Sequence, residues 1–447
     1  MTTYSAVVTT GIYCRPGCGA RPLAKNNVTF ELAAAAEAAG FRACLRCRPY
    51  RVAGPVSAAA PEIVCGAVQL IIDGALDEGT EPALAERVGL STRHLRRLFR
   101  AHLGVSPDEL ARSRRAHFAR RLLDDTDIAV VDVAFASGFG SLRQFNRTMR
   151  EIFRASPTEL RGRRRRSDRL VTDGGLALRL PVLPGYDWDG VRAILAARAL
   201  PGVESVEDGA YRRTITVDGA PAVVEVTRGA PDHLLLRAHL PYWEGLIHIV
   251  DRVGRLLGLD TDPAAGAAAL GALAQPRPGL VVPGAWAPLE PGLHALLGTD
   301  RAGAVVATLG NPVAGLPAGL THTFPEPAAL TADALRGLGL DEPDAAAVGA
   351  LAAAAPELHR GTSLAALAEL PGIAADLRHA LAFRLGVRDA FPAGDPAVVA
   401  ALADLELDPA WIPAQWRALA AAHLMAHATT MSESVQNQAG AVRTVGA

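Results

Sequence analysis

Apolar residues recur at helical spacing through most of the chain, and strand-like alternation is confined to one central region. Between residues 56 and 160, helical periods alternate with glycine turns, and alanine-rich helical periods follow Pro283. The strand-like pieces are Tyr211 to Val217, Ala222 to Val226 and His233 to Ala238. The pattern predicts a multidomain α+β protein in which helical segments precede and follow a sheet.

Composition divides the chain further. Residues 161–170 read RGRRRRSDRL, which is typical of a basic linker, and the small polar residues from 431 onwards predict a disordered tail. The predicted domains and connecting segments are 1–52, 56–160, a linker at 161–173, 174–262, 280–430 and a tail at 431–447.

Charge is divided unevenly between the front and back of the chain. The 447 residues carry a net charge of −1, but residues 1–170 carry +10 and residues 171–447 carry −11. The basic front part predicts a polyanionic partner. No run approaches the ~20 apolar residues of a membrane span, and residues 1–10 show no secretory signal. A cytoplasmic protein without a membrane partner is therefore expected.

The five cysteines lie within the first 65 residues, and four of them form a close pattern. The spacing is Cys14-x3-Cys18 and then Cys44-x2-Cys47. Two close pairs of thiolates in a reducing compartment are typical of one tetrahedral Zn²⁺ site per chain rather than of disulfides. That zinc is either purely structural or part of a reactive centre. Cys65 lies outside the pattern and is either a buried small residue or a further ligand.

The residues around the cysteines, TTGIYCRPGCGARP and AAGFRACLRCRP, resemble the N-terminal sensor of Ada-type DNA alkylation response proteins, a small zinc-binding α/β domain. The resemblance implies that Cys14 accepts a methyl group from a DNA methylphosphotriester. Zinc with four thiolates carries a formal charge of −2, and methylation of Cys14 leaves −1. Repulsion toward phosphate then falls, so DNA affinity is expected to rise.

Two similar helical pairs occupy residues 56–160. A helix from Glu81 to Gly89 precedes STRHLRRLFRAHLG, for which Ser91 is a candidate N-cap, and a helix from Ile128 to Gly138 precedes SLRQFNRTMREIF. The positions at core spacing are Leu95, Leu98, Phe99, Phe145 and Met149. With the closing SPTEL, the tandem pattern resembles the all-α double helix-turn-helix domain of AraC-type regulators.

That resemblance implies that the second helix of each pair enters a major groove. The candidate DNA contacts are Thr92, Arg93, Arg96, Arg97, Ser141, Arg143, Gln144 and Arg147. The alternative interpretation is a solvated basic helix face in an ordinary helical bundle.

The back part of the chain resembles the 3-methyladenine DNA glycosylase II family. LALRLPVLPGYDWDGVRAILAARALPGVESV and GRLLGLDTDP resemble its N-terminal antiparallel-sheet domain, and LAELPGI resembles its helix-hairpin-helix. The resemblance implies an all-α helix-hairpin-helix glycosylase domain at 280–430, with DNA contacts at Gly372 and Ala374. DAFPAGD resembles the end of the catalytic loop, which assigns the catalytic carboxylate to Asp395.

The implied reaction is hydrolysis of the bond between a sugar and an alkylated purine. Such a purine is already cationic and leaves without an acid, while one carboxylate stabilises the oxocarbenium-like sugar and assists water. Glycosylases that also nick the strand use an amine, usually a lysine. The only lysine here is Lys25, so a monofunctional enzyme is expected.

The sequence departs from that family around the base pocket. Where the family usually has Gly-Gln-Gln-Val-Ser, residues 298–302 of this chain read GTDRA. Ala374 occupies the position of the second hairpin glycine, and residues 375–380 contain no aromatic side chain. Trp286, Trp411 and Trp416 are either partial substitutes or core residues.

Two functions remain open on this basis. One is an alkylation-response protein that also excises alkylated purines. The other is a methylation-responsive transcriptional activator whose glycosylase-like part is inactive. Both imply double-stranded promoter and alkylated DNA as partners, and RNA polymerase is a further expected partner of an activator.

Overall fold

The computed structural model describes residues 3–15, 18, 24–51, 60–171, 174–359 and 362–445, with side chains for all of these except 51, 62 and 432–445. The chain divides into two compact units. The first consists of residues 1–183 and 232–254, and the second of residues 184–231 and 255–447. The predicted limits at residues 1, 52, 56, 173 and 447 lie outside the described residues.

Strands and helices alternate along the described chain. The strands are β1 Tyr4–Val7, β2 Ile12–Cys14, β3 Asn27–Phe30, β4 Arg42–Ala43, β5 Leu176–Pro181, β6 Glu204–Glu207, β7 Ala210–Val217, β8 Ala220–Arg228 and β9 His233–His239. The helices are α1 Ala33–Ala38, α2 Glu62–Ile72, α3 Glu81–Arg87, α4 Thr92–Leu103, α5 Pro107–Asp125, α6 Val130–Ala136, α7 Leu142–Phe153, α8 Pro157–Gly162, α9 Trp188–Ala196, α10 Leu246–Leu256, α11 Pro263–Leu270, α12 Leu289–Leu309, α13 Ala332–Gly337, α14 Glu342–Ala354, α15 Leu364–Ala368, α16 Ala375–Arg384, α17 Pro396–Asp404 and α18 Arg417–Val445. Among the described residues, no helix combines the length and the apolar character needed to cross a bilayer.

The first unit begins with a small sheet in the order β3-β1-β2-β4. β1 is antiparallel to both β2 and β3, whereas β2 and β4 are parallel and pair Tyr13 with Ala43. Parallel strands end at the same edge of a sheet. The residues that follow this pair, Cys14 and Cys44, are therefore brought to one edge.

The two predicted helical pairs are present, and local sequence explains where their helices begin. Ser91 and Ser141 cap α4 and α7, each accepting a hydrogen bond from the backbone N–H three residues later. Ser106 and Ser156 start α5 and α8 through capping boxes with the glutamate three residues on. Of the predicted core positions, Leu98 is half-buried and the others are fully buried: Leu95, Phe99, Phe145 and Met149.

The described part of the basic segment 161–173 differs from the predicted linker. Arg161 donates to the backbone carbonyl of Ile128 at 2.6 Å, and a short 3₁₀ turn covers Arg166–Asp168. Asp168 is buried and accepts two hydrogen bonds from Arg48, each of 2.6 Å. The segment is folded because these side chains find carbonyl and charge partners that a run of arginines in the sequence does not reveal.

In the second unit, β6, β7 and β8 form an antiparallel meander, and the predicted strands at 211–217 and 222–226 lie within β7 and β8. In the first unit, β9 covers the predicted strand at 233–238 and pairs antiparallel with β5. The long helix α12 is interrupted at Gly298, whose φ of +73° and ψ of 173° are not helical.

The segment predicted as a disordered tail continues the last helix, α18, to Val445. Alanine, the residue with the highest helix propensity, is frequent in the first half of α18, and once a helix exists each further residue fixed adds one hydrogen bond. Residues 431–445 contain no proline to stop it. The described backbone of residues 431–445 is helical, which composition did not predict.

Candidate functional site

Four cysteines meet at one edge of the first sheet. Cys14 ends β2 and is buried, Cys18 follows it, and Cys44 and Cys47 come just after β4. The Sγ atoms of Cys14, Cys18 and Cys47 lie within 4.8 Å of one another, and Cys44 is near enough for its charge to raise the pKa of both Cys14 and Cys47. Cys65 lies elsewhere, half-buried in α2, with its thiol donating to a backbone carbonyl.

Four thiolates at this spacing repel one another unless a cation binds them. Burial and the charges of the neighbouring cysteines raise the pKa of Cys14 well above its usual value. Burial likewise raises the pKa of Cys47 to about 12. Zn²⁺ supplies the compensating charge and accepts four thiolates in tetrahedral geometry. The donor set therefore fits zinc, and the protein binds one zinc ion.

The residue next to Cys14 connects the cluster to the long helix α5. Tyr13 donates to the Glu37 carboxylate at 2.6 Å, and His117 of α5 lies 2.5 Å from the same oxygen. The Glu37 side chain is 7% exposed. Burial opposes its ionisation, but His117, Ser113 and Tyr13 hold the pKa of Glu37 below its usual value.

A second set of contacts starts next to Cys47. Arg48 binds Asp168 and lies 3.7 Å from Asp124, near the end of α5. Tyr50 donates to Asp124 at 2.9 Å, and its ring lies beneath the guanidinium of Arg120. The zinc-binding segment is thus joined to α5, the helix between the two helix-turn-helix pairs, by buried charges as well as by packing.

The predicted DNA contacts on α4 differ in their freedom to reach a ligand. Arg93 and Arg97 are exposed, and Thr92 is half-buried. Arg96 is exposed but forms an ion pair with the buried carboxylate of Glu81 at the start of α3. Arg96 therefore holds the two helices of the first pair together, which sequence pattern did not suggest.

On α7 the predicted contacts lie at the N-terminal half of the helix. Ser141 and Arg143 are exposed, and Gln144 is half-buried. Arg147 is also exposed and lies 3.8 Å from Glu151 one turn later. Arg143 has no ion-pair partner among the described residues, so its charge is available to a ligand.

In the second unit, Asp395 lines a cavity of about 420 Å³. It caps α17, with Oδ1 accepting from the backbone N–H groups of Ala397 at 3.0 Å and Val398 at 3.4 Å. Its Oδ2 accepts from Nη2 of Arg198 at 2.5 Å. The carboxylate is therefore held from two sides, and the cavity is large enough for a small ligand, for which about 300–1,000 Å³ is usual.

Charged groups form much of the cavity wall. Glu204 and Glu290 line it together with Arg384, and both carboxylates form ion pairs with Arg213, which is 1% exposed and binds Glu290 at 2.6 and 3.1 Å. Burial, with the positive charge of Arg198, lowers the pKa of His294 in the same wall. His294 is therefore neutral at pH 7 and adds no positive charge to the cavity.

The predicted hairpin lies between α15 and α16. Gly372 has φ of +75°, and a Cβ at this position would lie 3.0 Å from the Cβ of Ala347, so the turn requires glycine. Ala374 precedes α16, offers no side-chain cap to its N–H groups, and also lines the cavity. The hairpin and the cavity are therefore adjacent.

Three tryptophans were candidates to replace the aromatic side chains missing from the base pocket, and none of them lines the described cavity. Trp286 lies under Arg213, 4.8 Å from ring centroid to guanidinium carbon, and Trp416 packs into a small apolar cluster. Trp411 is 45% exposed. The ionisable cavity residues that sequence pattern missed are Arg198, Glu204, Glu290, His294, Asp376 and Arg384. A buried charge inside an apolar stretch, such as Arg198 in LAARAL, is the signal that could have found one of them.

Three known domain families match this chain in succession. The metal binding domain of Ada matches residues 2–50, a helix-turn-helix domain matches 84–163, and the AlkA N-terminal domain matches 177–287. The matches confirm the predicted fusion and its fold class.

Curated relatives show the same composite character. The chain is 33% identical to the bifunctional transcriptional activator/DNA repair enzyme Ada of Escherichia coli, over 32% of this chain and 41% of that one. It is 35% identical to DNA-3-methyladenine glycosylase 2 of the same organism, over 32% of this chain and 51% of that one. A probable bifunctional transcriptional activator/DNA repair enzyme AlkA of Mycobacterium tuberculosis is 38% identical over 93% of this chain and 88% of its own. The chain belongs to that family of bifunctional transcriptional activator/DNA repair proteins, in which an Ada-type zinc domain, a helix-turn-helix domain and an AlkA-type domain share one polypeptide.

Proposed function

We propose that the protein is a DNA alkylation-response protein with a methyl-accepting cysteine, a promoter-binding domain and a base-excising domain. The observation that carries the proposal is that one chain holds both a buried cysteine in a four-thiol cluster and a cavity lined by a helix-capping carboxylate. The names of its relatives, a transcriptional activator/DNA repair enzyme and a 3-methyladenine glycosylase, support the same assignment.

Cys14 is the methyl acceptor of the proposal. Bound zinc keeps thiolate sulfur deprotonated and nucleophilic at neutral pH. The Cys14 sulfur attacks the methyl carbon of a DNA methylphosphotriester, so that a C–S bond forms as the methyl C–O bond breaks. The electron pair of the broken bond stays on the phosphate oxygen, which becomes an ordinary phosphodiester. The transfer is irreversible and happens once per chain.

Methylation then strengthens DNA binding. The cluster loses one negative charge, and its repulsion of DNA phosphates falls. The buried contacts from Tyr13 and Arg48 to α5 support this role, because they fix the cluster against the domain that binds DNA. The DNA-facing charge therefore changes at a fixed distance from the helix-turn-helix pairs.

Promoter recognition is assigned to α4 and α7. Arg93, Arg97 and Arg143 are exposed on these helices, and arginine is suited to guanine edges in the major groove. Thr92, Ser141, Gln144 and Arg147 complete the proposed contacts, while Arg96 acts through its ion pair with Glu81. We further propose that the promoter-bound protein contacts RNA polymerase, and that the protein acts in the cytoplasm.

Base excision is assigned to the cavity around Asp395. A damaged nucleotide turned out of the helix would enter the cavity, with DNA held by the N–H groups of the turn from Gly372 to Ala374. The Asp395 carboxylate stabilises the positive charge that develops on the sugar and assists the attacking water. The base leaves with the electron pair of the glycosidic bond, and the DNA strand is not cut.

Two assays on one preparation of the full chain test the proposal. The first measures transfer of labelled methyl from DNA methylphosphotriesters to the Cys14 peptide, with Cys14→Ser and Cys65→Ser as variant and control. The second measures release of 3-methyladenine from methylated duplex DNA by wild type, Asp395→Asn and Asp389→Asn. Asp389 is exposed in the same loop and does not line the cavity. Methyl transfer by Cys14→Ser would contradict the assignment of Cys14 as the methyl acceptor. Release of 3-methyladenine by Asp395→Asn at the wild-type rate would contradict the assignment of Asp395 as the catalytic carboxylate.

A second candidate is a transcriptional activator whose back part has lost catalysis. The ion pair between Arg198 and Asp395 favours it, because the guanidinium offsets the charge of the carboxylate. In that case methyl transfer and switched DNA binding remain, and neither wild type nor Asp395→Asn releases a base.

A further inference from the structure

Asp376 places a second carboxylate in the wall of the cavity beside Asp395. It is the second residue of α16, is exposed, and lines the same cavity. A Cβ added to Gly394 would lie 3.1 Å from Oδ2 of Asp376, so this oxygen packs against the backbone of the residue before Asp395. The absence of a side chain at Gly394 lets the carboxylate come this close.

Each of the other carboxylates of the cavity forms an ion pair with an arginine. Asp395 pairs with Arg198, and Glu204 and Glu290 pair with Arg213. Within the part of the chain that the structure describes, no arginine, lysine or histidine forms an ion pair with Asp376. Among the described carboxylates of the cavity wall, Asp376 is therefore the one without an ion-pair partner.

Aromatic surface for stacking on a base is scarce in the same wall. Phe383 lines the cavity but is 1% exposed, and the indoles of Trp286, Trp411 and Trp416 lie elsewhere. A cationic base is attracted either by the face of an aromatic ring or by a negative charge. This cavity offers the second.

We propose that Asp376 is a specificity-determining residue that selects N-alkylated, positively charged purines over neutral purines of similar shape. The proposal rests on the base-excision function proposed above. A nucleotide with an alkylated purine carries one positive charge on its base, and this net charge is kept as the bond breaks and the charge moves toward the sugar. The Asp376 carboxylate is thus attracted to the cationic substrate both on binding and in the transition state, and has no such attraction to a neutral nucleotide.

A purely structural role for Asp376 predicts a different outcome. An aspartate in the first turn of a helix stabilises that helix through its dipole, and it also repels a nearby phosphate. Removal of the charge would then change the affinity for all DNA alike. The ratio of kcat/KM for a cationic substrate to kcat/KM for a neutral substrate therefore distinguishes a specificity role from a purely structural one.

The experiment uses the full chain, wild type, Asp376→Asn and the charge-conserving Asp376→Glu. Release of 7-methylguanine is compared with release of hypoxanthine from otherwise identical duplexes. We expect Asp376→Asn to lower the ratio of the two kcat/KM values about tenfold, because a partly screened ion pair is lost, and Asp376→Glu to keep it. An unchanged ratio in Asp376→Asn overturns the proposal.

A binding measurement keeps the test independent of catalysis. Affinity is measured for a duplex with one 2′-fluoro-stabilised 7-methylguanine and for the same duplex with guanine. Wild type should prefer the cationic duplex, and Asp376→Asn should lose the preference. If wild type prefers the cationic duplex, Asp376→Asn loses this preference, and neither protein releases a base, the base-excision proposal fails and the charge-selection proposal stands. If wild type shows no preference, or Asp376→Asn retains it, charge selection fails whatever the release assay shows.

Discussion

Arg198 and Asp395 lie 197 residues apart in sequence and form an ion pair with Nη2 and Oδ2 separated by 2.5 Å. Arg198 follows α9, and Asp395 begins α17. The other carboxylate oxygen is held by backbone N–H groups of α17. The pair therefore fixes the orientation of the proposed catalytic group while reducing its net charge.

Substitution of Arg198 should slow base release without weakening DNA binding. In Arg198→Gln the carboxylate keeps its two backbone hydrogen bonds but loses one of its two anchors, and misorientation of a catalytic group costs on the order of 10-fold or more in rate. Single-turnover release with a parallel affinity measurement checks this. Arg228→Gln is the matched control, because Arg228 forms an exposed ion pair with Asp189 in the same unit. A release rate that stays at the wild-type level would show that Arg198 does not position Asp395.

Asp395→Asn should lower release of 3-methyladenine by about 10²–10³-fold, since removal of one group that stabilises transition-state charge typically has this effect. Affinity for undamaged DNA should not change. Asp389→Asn should behave as wild type. Release rates are measured by chromatography of the freed base, and comparable rates for wild type and Asp395→Asn would exclude the assigned role.

Loss of a zinc ligand should unfold the N-terminal domain. Cys47→Ser removes one of four thiolates, and binding of a structural metal supplies much of the folding free energy of so small a domain. We expect about one zinc per chain in wild type and in Cys65→Ser, and loss of both metal and protease resistance of residues 1–51 in Cys47→Ser. Metal analysis and limited proteolysis measure this. Full protease resistance in a metal-free preparation contradicts the prediction.

Methylation of Cys14 should raise affinity for a specific promoter duplex, and the gain should shrink as salt is added, because it is electrostatic in origin. Arg143→Ala should weaken binding of the methylated protein by about 1–3 kcal/mol if the contact is to a base, with relaxed discrimination at one position. Arg228→Ala, in the second unit, serves as a control for loss of an exposed arginine. Equal affinity before and after complete methylation at low salt would remove the charge-switch mechanism.

The stability of the second unit should fall as the pH drops below neutral. Burial lowers the pKa of His423 from 6.5 to about 4. The unfolded chain therefore takes up a proton near pH 6.5, which the folded chain resists until about pH 4. The free energy of unfolding is undiminished above pH 6.5 and declines toward pH 4, by up to roughly 3 kcal/mol.

Urea unfolding at pH 7.5 and pH 5.0 measures this dependence. His423→Gln should flatten it, whereas His102→Gln, which changes an exposed histidine of the first unit, should leave it as in wild type. An equally steep pH dependence in His423→Gln would assign the effect to other groups.

Much of the local structure follows from residues that are near one another in sequence. The caps at Ser91 and Ser141, the buried positions of α4 and α7, and the strands β7 to β9 depend on spacing over a few residues. The repeat of Ser-Pro-x-Glu-Leu at 106–110 and 156–160 is a further local signal, because each copy forms a capping box. The cysteine spacing likewise predicted zinc, since thiolates separated by two or three intervening residues can bind the same ion.

Local composition was a weaker guide where folding depended on distant partners. The segment around Asp168 has the composition of a linker but binds Arg48, 120 residues away. The small polar residues after 431 extend a helix that begins far upstream. The contacts on DNA at α4 and α7 stay predictions, although the structure shows that Arg96 is engaged by Glu81.

By itself, the sequence determined the order of the domains and the presence of a zinc site, and it assigned the proposed zinc ligands and the proposed catalytic aspartate, because each of these is a short pattern of residue types. Only the tertiary structure decided which polar and charged groups meet. Tyr13 and His117 contact Glu37, Arg198 pairs with Asp395, and Asp376 has no ion-pair partner among the described residues. The physical reason is that an ion pair depends on distance in space, and packing brings together side chains that are tens to hundreds of residues apart in the chain.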